Sequence, residues 1–120
     1  MTGLDAAFAA LSDPTRRRAI RLLVKGPRRA GELAAELDVR ASALTRHLRV
    51  LRESGFVEEQ RGGDDGRVRV YRLRREPLGE LRGWIDEVES FWTDQLASFQ
   101  RHVERGAARA GRRDRRQGRR

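Results

Sequence analysis

A run of polar residues between positions 40 and 49 carries the chemistry needed to bind nucleic acid. Ser42 and Thr45 have hydroxyl groups that donate and accept hydrogen bonds, and the guanidinium of Arg46 fits the paired acceptors of a guanine edge. Arg40 and Arg49 supply permanent positive charges suited to phosphate oxygens. We predict base contacts for the first three residues and backbone phosphate contacts for the two flanking arginines.

One helix is predicted to hold these residues on a common side. The apolar pattern from Ala41 to Ser54 is helical, with Leu44, Leu48 and Leu51 on one stripe, and Gly55 is a natural residue just beyond a helix end. When the leucine stripe faces the core, the polar residues face solvent.

A shorter helix precedes it at the spacing of a helix-turn-helix. Leu33, Ala34 and Leu37 indicate a helix from Ala30 to Leu37, and only residues 38–40 separate the two helices. In such a motif the second helix inserts its N-terminal residues into the major groove of DNA, while the first lies across the backbone. This spacing gives the exposed polar residues a role in DNA recognition.

Beyond the second helix the sequence period changes from helical to extended. Residues 56–61 and 67–73 favour strands, and Asp65-Gly66 between them is a hairpin-turn signal. This pattern predicts a β-hairpin, or wing, whose base is buried on both faces.

The predicted wing carries cations next to acidic residues. Arg61 and Arg67 on its flanks are expected to contact a minor groove or its phosphates, the alternative being simple exposure to solvent. Asp64 and Asp65 oppose deep insertion of the tip, because a carboxylate is repelled by phosphates.

Helices at both ends complete the predicted fold. Helical spacing runs from Leu4 to Leu11 and, after the capping pair Asp13-Pro14, continues to Lys25. From Leu78 to about Glu104 apolar residues step by three or four, which is more apolar surface than so small a body can cover. We expect a homodimer in which the same patch on two copies covers itself. Its predicted interface residues are Leu4, Phe8, Leu81, Ile85, Val88, Trp92, Leu96 and Phe99.

Charge is concentrated at the C-terminus. The 120 residues include 27 basic and 18 acidic side chains, a net charge of +9, and residues 105–120 contain eight Arg and one Asp. This segment has no apolar period, so we predict a disordered tail after a domain at residues 1–104. The tail is expected to strengthen DNA binding through counterion release, with a purely solubilising role and binding to RNA as the alternatives.

The composition excludes several other classes of protein. The chain has no cysteine, which removes disulfides and thiolate metal sites, and its longest apolar run, residues 6–11, is too short to cross a membrane. No arrangement of Ser, His and Asp suggests nucleophilic catalysis. We expect a cytoplasmic protein that is not an enzyme, uses no cofactor and has no membrane partner.

Four blocks of residues occur in an order that is typical of one protein family. They are Leu11-Ser12-Asp13-Pro14-Thr15-Arg16-Arg17, Gly31-Glu32-Leu33-Ala34, His47-Leu48-Arg49-Val50-Leu51-Arg52-Glu53-Ser54-Gly55-Phe56-Val57 and Val70-Tyr71-Arg72-Leu73. Over roughly residues 4–104 the chain resembles the ArsR family of bacterial winged-helix repressors. The resemblance implies a homodimer that binds a palindromic operator in double-stranded DNA and releases it when a signal arrives. It also implies that His47 contacts a phosphate or a neighbouring backbone group, the alternative being a structural hydrogen bond.

The residues with which members of this family bind metal are missing. Resemblance places one set of thiolate ligands near residues 33–37, where this chain has Leu, Ala, Ala, Glu and Leu. The other familiar site needs several His on the C-terminal helix, where this chain has only His102. We predict no metal site.

Two arginines also depart from the family pattern. Arg29 and Arg40 stand where relatives usually have Ser or Thr as the N-caps of the two reading helices. An Arg cannot accept the capping hydrogen bond, a loss of about 1 kcal/mol, and it faces the positive end of the helix dipole. We predict that both contact phosphates, because these helix ends point toward DNA in the motif; the alternative is tolerated substitution with water as the cap.

These features together predict a dimeric, sequence-specific transcriptional regulator, and specifically a metal-independent repressor. One alternative is an architectural or RNA-associated basic protein without sequence preference, and another is a protein-interaction module. The sequence specifies no small-molecule effector. Trp84, Phe91 and Trp92 could line an apolar effector pocket, but their helical spacing favours the dimer core.

Overall fold

The computed structural model describes residues 3–62 and 66–117, with side chains up to residue 111. Its helices are α1 (Gly3–Leu11), α2 (Pro14–Val24), α3 (Ala30–Leu37), α4 (Ala41–Glu53) and α5 (Glu76–Gln117), and its strands are β1 (Arg28–Arg29), β2 (Val57–Gly62) and β3 (Val68–Leu73). The α3–α4 pair and the β2–β3 hairpin form the predicted winged helix-turn-helix, so this expectation is confirmed. The acidic pair Asp64 and Asp65, expected at the wing tip, lies outside the described residues.

The junction between α1 and α2 is organised by Asp13. Its carboxylate accepts hydrogen bonds from the backbone N–H groups of Thr15 at 2.7 Å and Arg16 at 3.2 Å, and Pro14 occupies the first turn of α2. Burial of Asp13 by itself raises its pKa. These two N–H donors and the positive charges of His47 and Arg16 outweigh burial, so the pKa lies below its ordinary value of 3.8.

We expect Asp13→Ala to lower the free energy of unfolding by about 1 kcal/mol at pH 7, because it removes the N-cap of α2. A carboxyl whose pKa is depressed on folding stabilises the protein above its unfolded pKa and loses that effect as pH falls through the folded pKa. Urea unfolding of both proteins at several pH values should therefore show the difference shrinking between roughly pH 4 and pH 2. A difference that stays constant over this range would contradict the assignment.

The hydrophobic core fixes which side of α4 faces outward. Leu44, Leu48 and Leu51 are at most 2% exposed, as the leucine stripe predicted, and they belong to the same buried cluster as Leu33 of α3 and Phe56. Because α4 buries this stripe, the residues between the leucines remain on the surface.

The sheet has three strands in the order β1-β3-β2, one more than the predicted hairpin. Arg28 and Arg29 of β1 pair antiparallel with Tyr71 and Val70 of β3. The sequence did not reveal β1 because a two-residue strand cannot show a period. Its consequence is local: Arg29 is both the last residue of β1 and the N-cap of α3, so the sheet fixes where α3 begins.

Helix α5 corrects the expectation for the C-terminus. It ends at Gln117 rather than near Glu104, so residues 105–117 are helical and not the predicted disordered tail. Ala and Arg have high helix propensities, whereas the apolar period used to predict the helix end reports burial and not propensity. Residues 118–120 of the predicted tail lie outside the described residues.

The chain divides into two compact units, Met1–Gly83 and Trp84–Arg120, and the boundary falls within α5. The buried core described above belongs to the first unit. The described part of the second unit is the continuation of α5. Within residues 3–62 and 66–117, no helix combines the length and hydrophobicity needed to cross a membrane.

Candidate nucleic-acid interface

The polar residues predicted to read bases share one exposed face of α4. Ser42, Thr45, Arg46 and Arg49 are all exposed, and their spacing of three, four and seven residues places them on one side of the helix. Arg40 is also exposed and lies directly before α4. The structure therefore groups all five candidates on the outer surface of α4 and at its N-terminus.

Thr45 has a defined hydroxyl orientation. Its Oγ1 donates a hydrogen bond to the backbone oxygen of Ala41, one turn earlier, at 2.9 Å. The hydroxyl proton is thus used within the helix, while the oxygen lone pairs and the methyl group stay on the exposed side chain.

Neither reading helix has a side-chain cap at its N-terminus. Arg40 is the N-cap of α4 with φ −69° and ψ 147°, and its side chain makes no capping hydrogen bond. Arg29 at the start of α3 likewise accepts none, since a guanidinium has only donors. At α3 the carboxylate of Glu32 partly compensates: its Oε1 accepts from the Arg29 backbone N–H at 3.4 Å and lies 4.0 Å from Arg29 Nε. The N-terminus of α4 therefore has no side-chain hydrogen bond at its N-cap residue, whereas the N-terminus of α3 has one from Glu32.

His47 is half-buried, and its ring contacts Arg16 of α2. Its Nδ1 lies 3.3 Å from Nη1 of Arg16, and because a guanidinium only donates, the two form a hydrogen bond when Nδ1 is the unprotonated ring nitrogen. Arg16 also donates to the backbone oxygens of Ala10 at 2.7 Å and Ala9 at 3.0 Å. This geometry favours the structural alternative for His47, and a phosphate contact through Nε2 stays a prediction.

Sequence analysis did not identify Arg16 as part of the site. Its side chain satisfies carbonyl groups at the C-terminal end of α1 and touches α4, so it fixes the N-terminal helix against the reading helix. The residue lies in the first sequence block that resembles the family, but the three hydrogen-bond partners of its side chain lie on two other elements, and a sequence pattern does not show such contacts.

The wing presents the two predicted arginines on its flanks. Arg61 is exposed on β2, opposite Arg69 of β3, and Arg67 is exposed directly before β3. Both lie within two residues of the segment 63–65. The structure thus places them at the outer end of the hairpin, as the wing prediction requires.

A carboxylate that sequence analysis missed connects the wing to the reading helix. Glu59 of β2 is 2.8 Å from Arg52 of α4 through its Oε2 and 3.2 Å from Arg69 of β3 through its Oε1. The Glu59 side chain is only 16% exposed, so these two pairs are better shielded from water than most surface ion pairs. Glu59 therefore positions α4 and both wing strands relative to one another.

The predicted dimer residues do not all lie on the surface. Leu81 is only 7% exposed and belongs to the chain's own core, so it has little surface to offer a second copy, and its place in the predicted interface is corrected. Leu81 follows the same helical period as the others, and a period does not distinguish an internal neighbour from an external one. Leu4 is half-buried against the same core. The remaining predicted interface residues, Phe8, Ile85, Val88, Trp92, Leu96 and Phe99, are between 41% and 65% exposed.

Side chains that can bind a metal are dispersed over the described part of the chain. In residues 3–62 and 66–117 there is no cluster of three or more His, Cys, Asp or Glu side chains that could hold an ion.

A helix pair with an exposed polar second helix, followed by a three-stranded sheet whose hairpin carries flanking arginines, defines a winged helix-turn-helix DNA-binding protein. Comparison with known proteins gives the family. The sequence model described as "Bacterial regulatory protein, arsR family" matches residues 13–59.

Individual members of known protein families are similar to this chain over more than two thirds of its length. HTH-type transcriptional regulator Rv2034 of Mycobacterium tuberculosis is 38% identical over 95 residues, which cover 79% of this chain and 83% of the relative. Transcriptional repressor SdpR of Bacillus subtilis is 32% identical over 82 residues, 68% of this chain and 88% of the relative. An ArsR-like transcriptional regulator from Rhodococcus sp. RHA1 is structurally similar, with a TM-score of 0.73 and 30% identity, covering 82% of this chain and 91% of that one. The chain belongs to the ArsR family of bacterial regulatory proteins and is a DNA-binding transcriptional regulator.

Proposed function

We propose that this regulator is a metal-independent repressor that binds a palindromic operator as a homodimer. The observation that carries the proposal is the exposed face of α4, where Ser42, Thr45, Arg46 and Arg49 stand above a buried leucine stripe. In a helix-turn-helix this face enters the major groove. Repression is further supported by the similarity to SdpR, which is named a transcriptional repressor. Operator binding would place its action in the cytoplasm.

The residues around α4 divide into two groups by chemistry. Ser42, Thr45 and Arg46 present hydrogen-bonding groups that can distinguish base pairs, so they are assigned to base edges. The remaining candidates carry charge or lie at helix ends and the wing, so they are assigned to phosphates or the minor groove. They are Arg29, Arg40, His47, Arg49, Arg61 and Arg67.

Dimerisation is supported by the apolar side chains that the chain leaves exposed. Phe8 is 41% exposed, and the stripe on α5 includes Trp92 at 63% and Phe99 at 65%. Exposed apolar patches mark interaction sites, and a twofold axis lets one patch cover its own copy. Such a dimer presents two α4 helices, which is what a palindromic operator requires.

Footprinting on the DNA upstream of the protein's own gene tests the function directly. Two protected half-sites about one helical turn apart would support a symmetric dimer on an operator. Uniform protection that unrelated competitor DNA abolishes would instead support a basic protein without sequence preference. Retention of DNA by a variant lacking the side chains of Thr45 and Arg46 would support a protein-interaction role for the winged helix.

The uncapped N-terminus of α4 gives a further prediction. Arg40→Ser restores a residue that can cap the helix, so we expect the free energy of unfolding to rise by about 1 kcal/mol. The same substitution removes a cation next to the expected phosphate position, so operator affinity measured at matched salt should fall. Arg21→Ala, which removes an exposed cation from α2, is the control for net charge. Unchanged operator affinity of Arg40→Ser would contradict a phosphate contact at this position.

A further inference from the structure

A cleft of about 250 Å³ lies where the start of α3, one side of α4 and the wing meet. Its walls are mainly small or apolar, and they include Ala34 of α3 and Leu44 and Leu48 of α4. The volume is slightly below the ~300–1,000 Å³ that is typical of pockets for drug-sized ligands, so the cleft suits a smaller molecule. The side chains that bring polar groups to it are Thr45, Arg52, Glu59, Arg69 and Tyr71.

Tyr71 brings an unused hydroxyl group to this cleft. The residue lies on the central strand β3, directly opposite Glu59 of β2, and is only 6% exposed. Its hydroxyl makes no hydrogen bond within the described residues. Among those residues no fully buried polar side-chain atom lacks a partner, so the hydroxyl reaches an accessible surface, and the surface that Tyr71 lines is the cleft. Buried tyrosines usually find a partner for this group, so the cleft has a hydrogen bond to offer a ligand.

The charged groups of the cleft favour an anion. Glu59 lies 2.8 Å from Arg52 through its Oε2 and 3.2 Å from Arg69 through its Oε1, so one carboxylate faces two guanidiniums. A guanidinium has several N–H donors, and the Arg52 and Arg69 side chains remain 43% and 58% exposed, so each keeps donors that Glu59 does not use. Thr45 contributes only an acceptor, because its proton is donated to Ala41. The cleft thus combines surplus donors with a net positive charge, which match the carboxylate group of a ligand.

From these observations we propose that the cleft is an effector site for a small monocarboxylate with a short apolar body. The ligand carboxylate binds the hydroxyl of Tyr71 and the N–H groups of Arg69 that Glu59 leaves available, while the hydrocarbon body packs against Leu44. The inference rests on the proposed function, because the bound molecule also covers Thr45, which is assigned to a base edge. Effector and operator then exclude one another, so binding of the effector releases the DNA.

Calorimetric titration of the full-length protein without DNA tests the site. Hexanoate and benzoate should bind, whereas acetate, which lacks the apolar body, and hexanamide, which lacks the charge, should bind at least roughly tenfold more weakly than hexanoate.

Variants of the cleft locate the binding of hexanoate. Tyr71→Phe removes only a hydroxyl that has no partner in the described part of the chain, so folding is preserved and the affinity for hexanoate should fall roughly tenfold. Arg69→Gln should weaken binding by a similar factor. Arg72→Gln is the matched control for Arg69→Gln, because it removes the same charge from an exposed residue on the opposite face of β3, and it should leave the affinity unchanged.

Operator titration in the presence of hexanoate tests the regulation. At a hexanoate concentration about ten times its dissociation constant, the operator dissociation constant of the parent should rise at least roughly tenfold, with acetate at the same ionic strength as the reference. Tyr71→Phe should bind the operator as tightly as the parent when hexanoate is absent, and the same hexanoate concentration should weaken its operator binding much less.

The possible results separate the effector site from the proposed function. The site is overturned if neither hexanoate nor benzoate binds, if inorganic phosphate binds as tightly as hexanoate, or if Tyr71→Phe and Arg69→Gln both leave the affinity unchanged. Hexanoate that binds in the cleft without weakening operator binding overturns the regulatory role. A parent protein that does not prefer its operator to a scrambled duplex when no ligand is present overturns the proposed function, whereas calorimetry on the free protein still decides whether the cleft binds a carboxylate.

Discussion

Replacing Thr45 and Arg46 together with alanine is expected to abolish selective operator binding. A good bidentate contact between an arginine and a guanine discriminates by about 1–3 kcal/mol, and a dimer makes each contact twice, so operator affinity should fall by on the order of 100-fold or more. Binding to unrelated DNA should change much less, because it depends on phosphate contacts. Both side chains are exposed, so folding should be preserved. Titration of the operator and of a scrambled duplex at the same salt concentration measures the ratio.

Arg49→Ala provides the contrast for this double variant. Its exposed guanidinium is assigned to a phosphate, so its loss should weaken binding to all sequences about equally and reduce the salt dependence by about one ion per contact. A double variant that keeps the operator-to-scrambled ratio of the parent would refute base reading by α4.

The second large effect is expected from Trp92→Glu. Trp92 is 63% exposed in the single chain and lies in the middle of the apolar stripe of α5. Burying a carboxylate at two symmetric positions, with the loss of two large aromatic contacts, should raise the dimer dissociation constant by about three orders of magnitude. Operator binding should fall with it, since a monomer contacts only one half-site. Sedimentation velocity and operator titration on the same samples would show both changes.

Ser90→Glu is the matched control for Trp92→Glu. Ser90 is exposed and lies two residues earlier on α5, on the side away from the stripe, so a new carboxylate there should leave the dimer intact. Circular dichroism should show the helical content of both variants unchanged. A Trp92→Glu protein that remains dimeric at low concentration would mean that α5 does not carry the interface.

Sequence periodicity was sufficient to predict the elements that present the interface. The leucine stripe of α4, the Asp13-Pro14 start of α2 and the glycine-bounded hairpin are all local patterns, and the structure shows each of them close to its predicted bounds. Local patterns suffice there because a helix face or a turn is determined by residues a few positions apart.

Contacts between distant residues could not be predicted in this way. The bond between Arg16 and His47 joins residues 31 positions apart, and Glu59 pairs with residues on α4 and β3. Leu81 was assigned to the dimer interface instead of the chain's own core for the same reason. Its spacing on α5 indicates that it is buried, but not whether the same chain or a second copy buries it. Whether a residue stabilises the fold or binds a partner depends on which elements pack against each other. The hydrophobic period of a single sequence does not show that packing.

The internal hydrogen bond of Thr45 constrains the operator itself. Since the hydroxyl proton is given to Ala41, Thr45 can offer a base only an acceptor and a methyl group. Its favoured neighbours are then the amino groups of adenine and cytosine or the methyl of thymine, and guanine, which shows only acceptors in the major groove, is disfavoured. Arg46 has the reverse preference. Each half-site should therefore contain a guanine, read by Arg46, next to a position read by Thr45 at which guanine is absent. Selection of binding sites from random DNA would reveal this pattern.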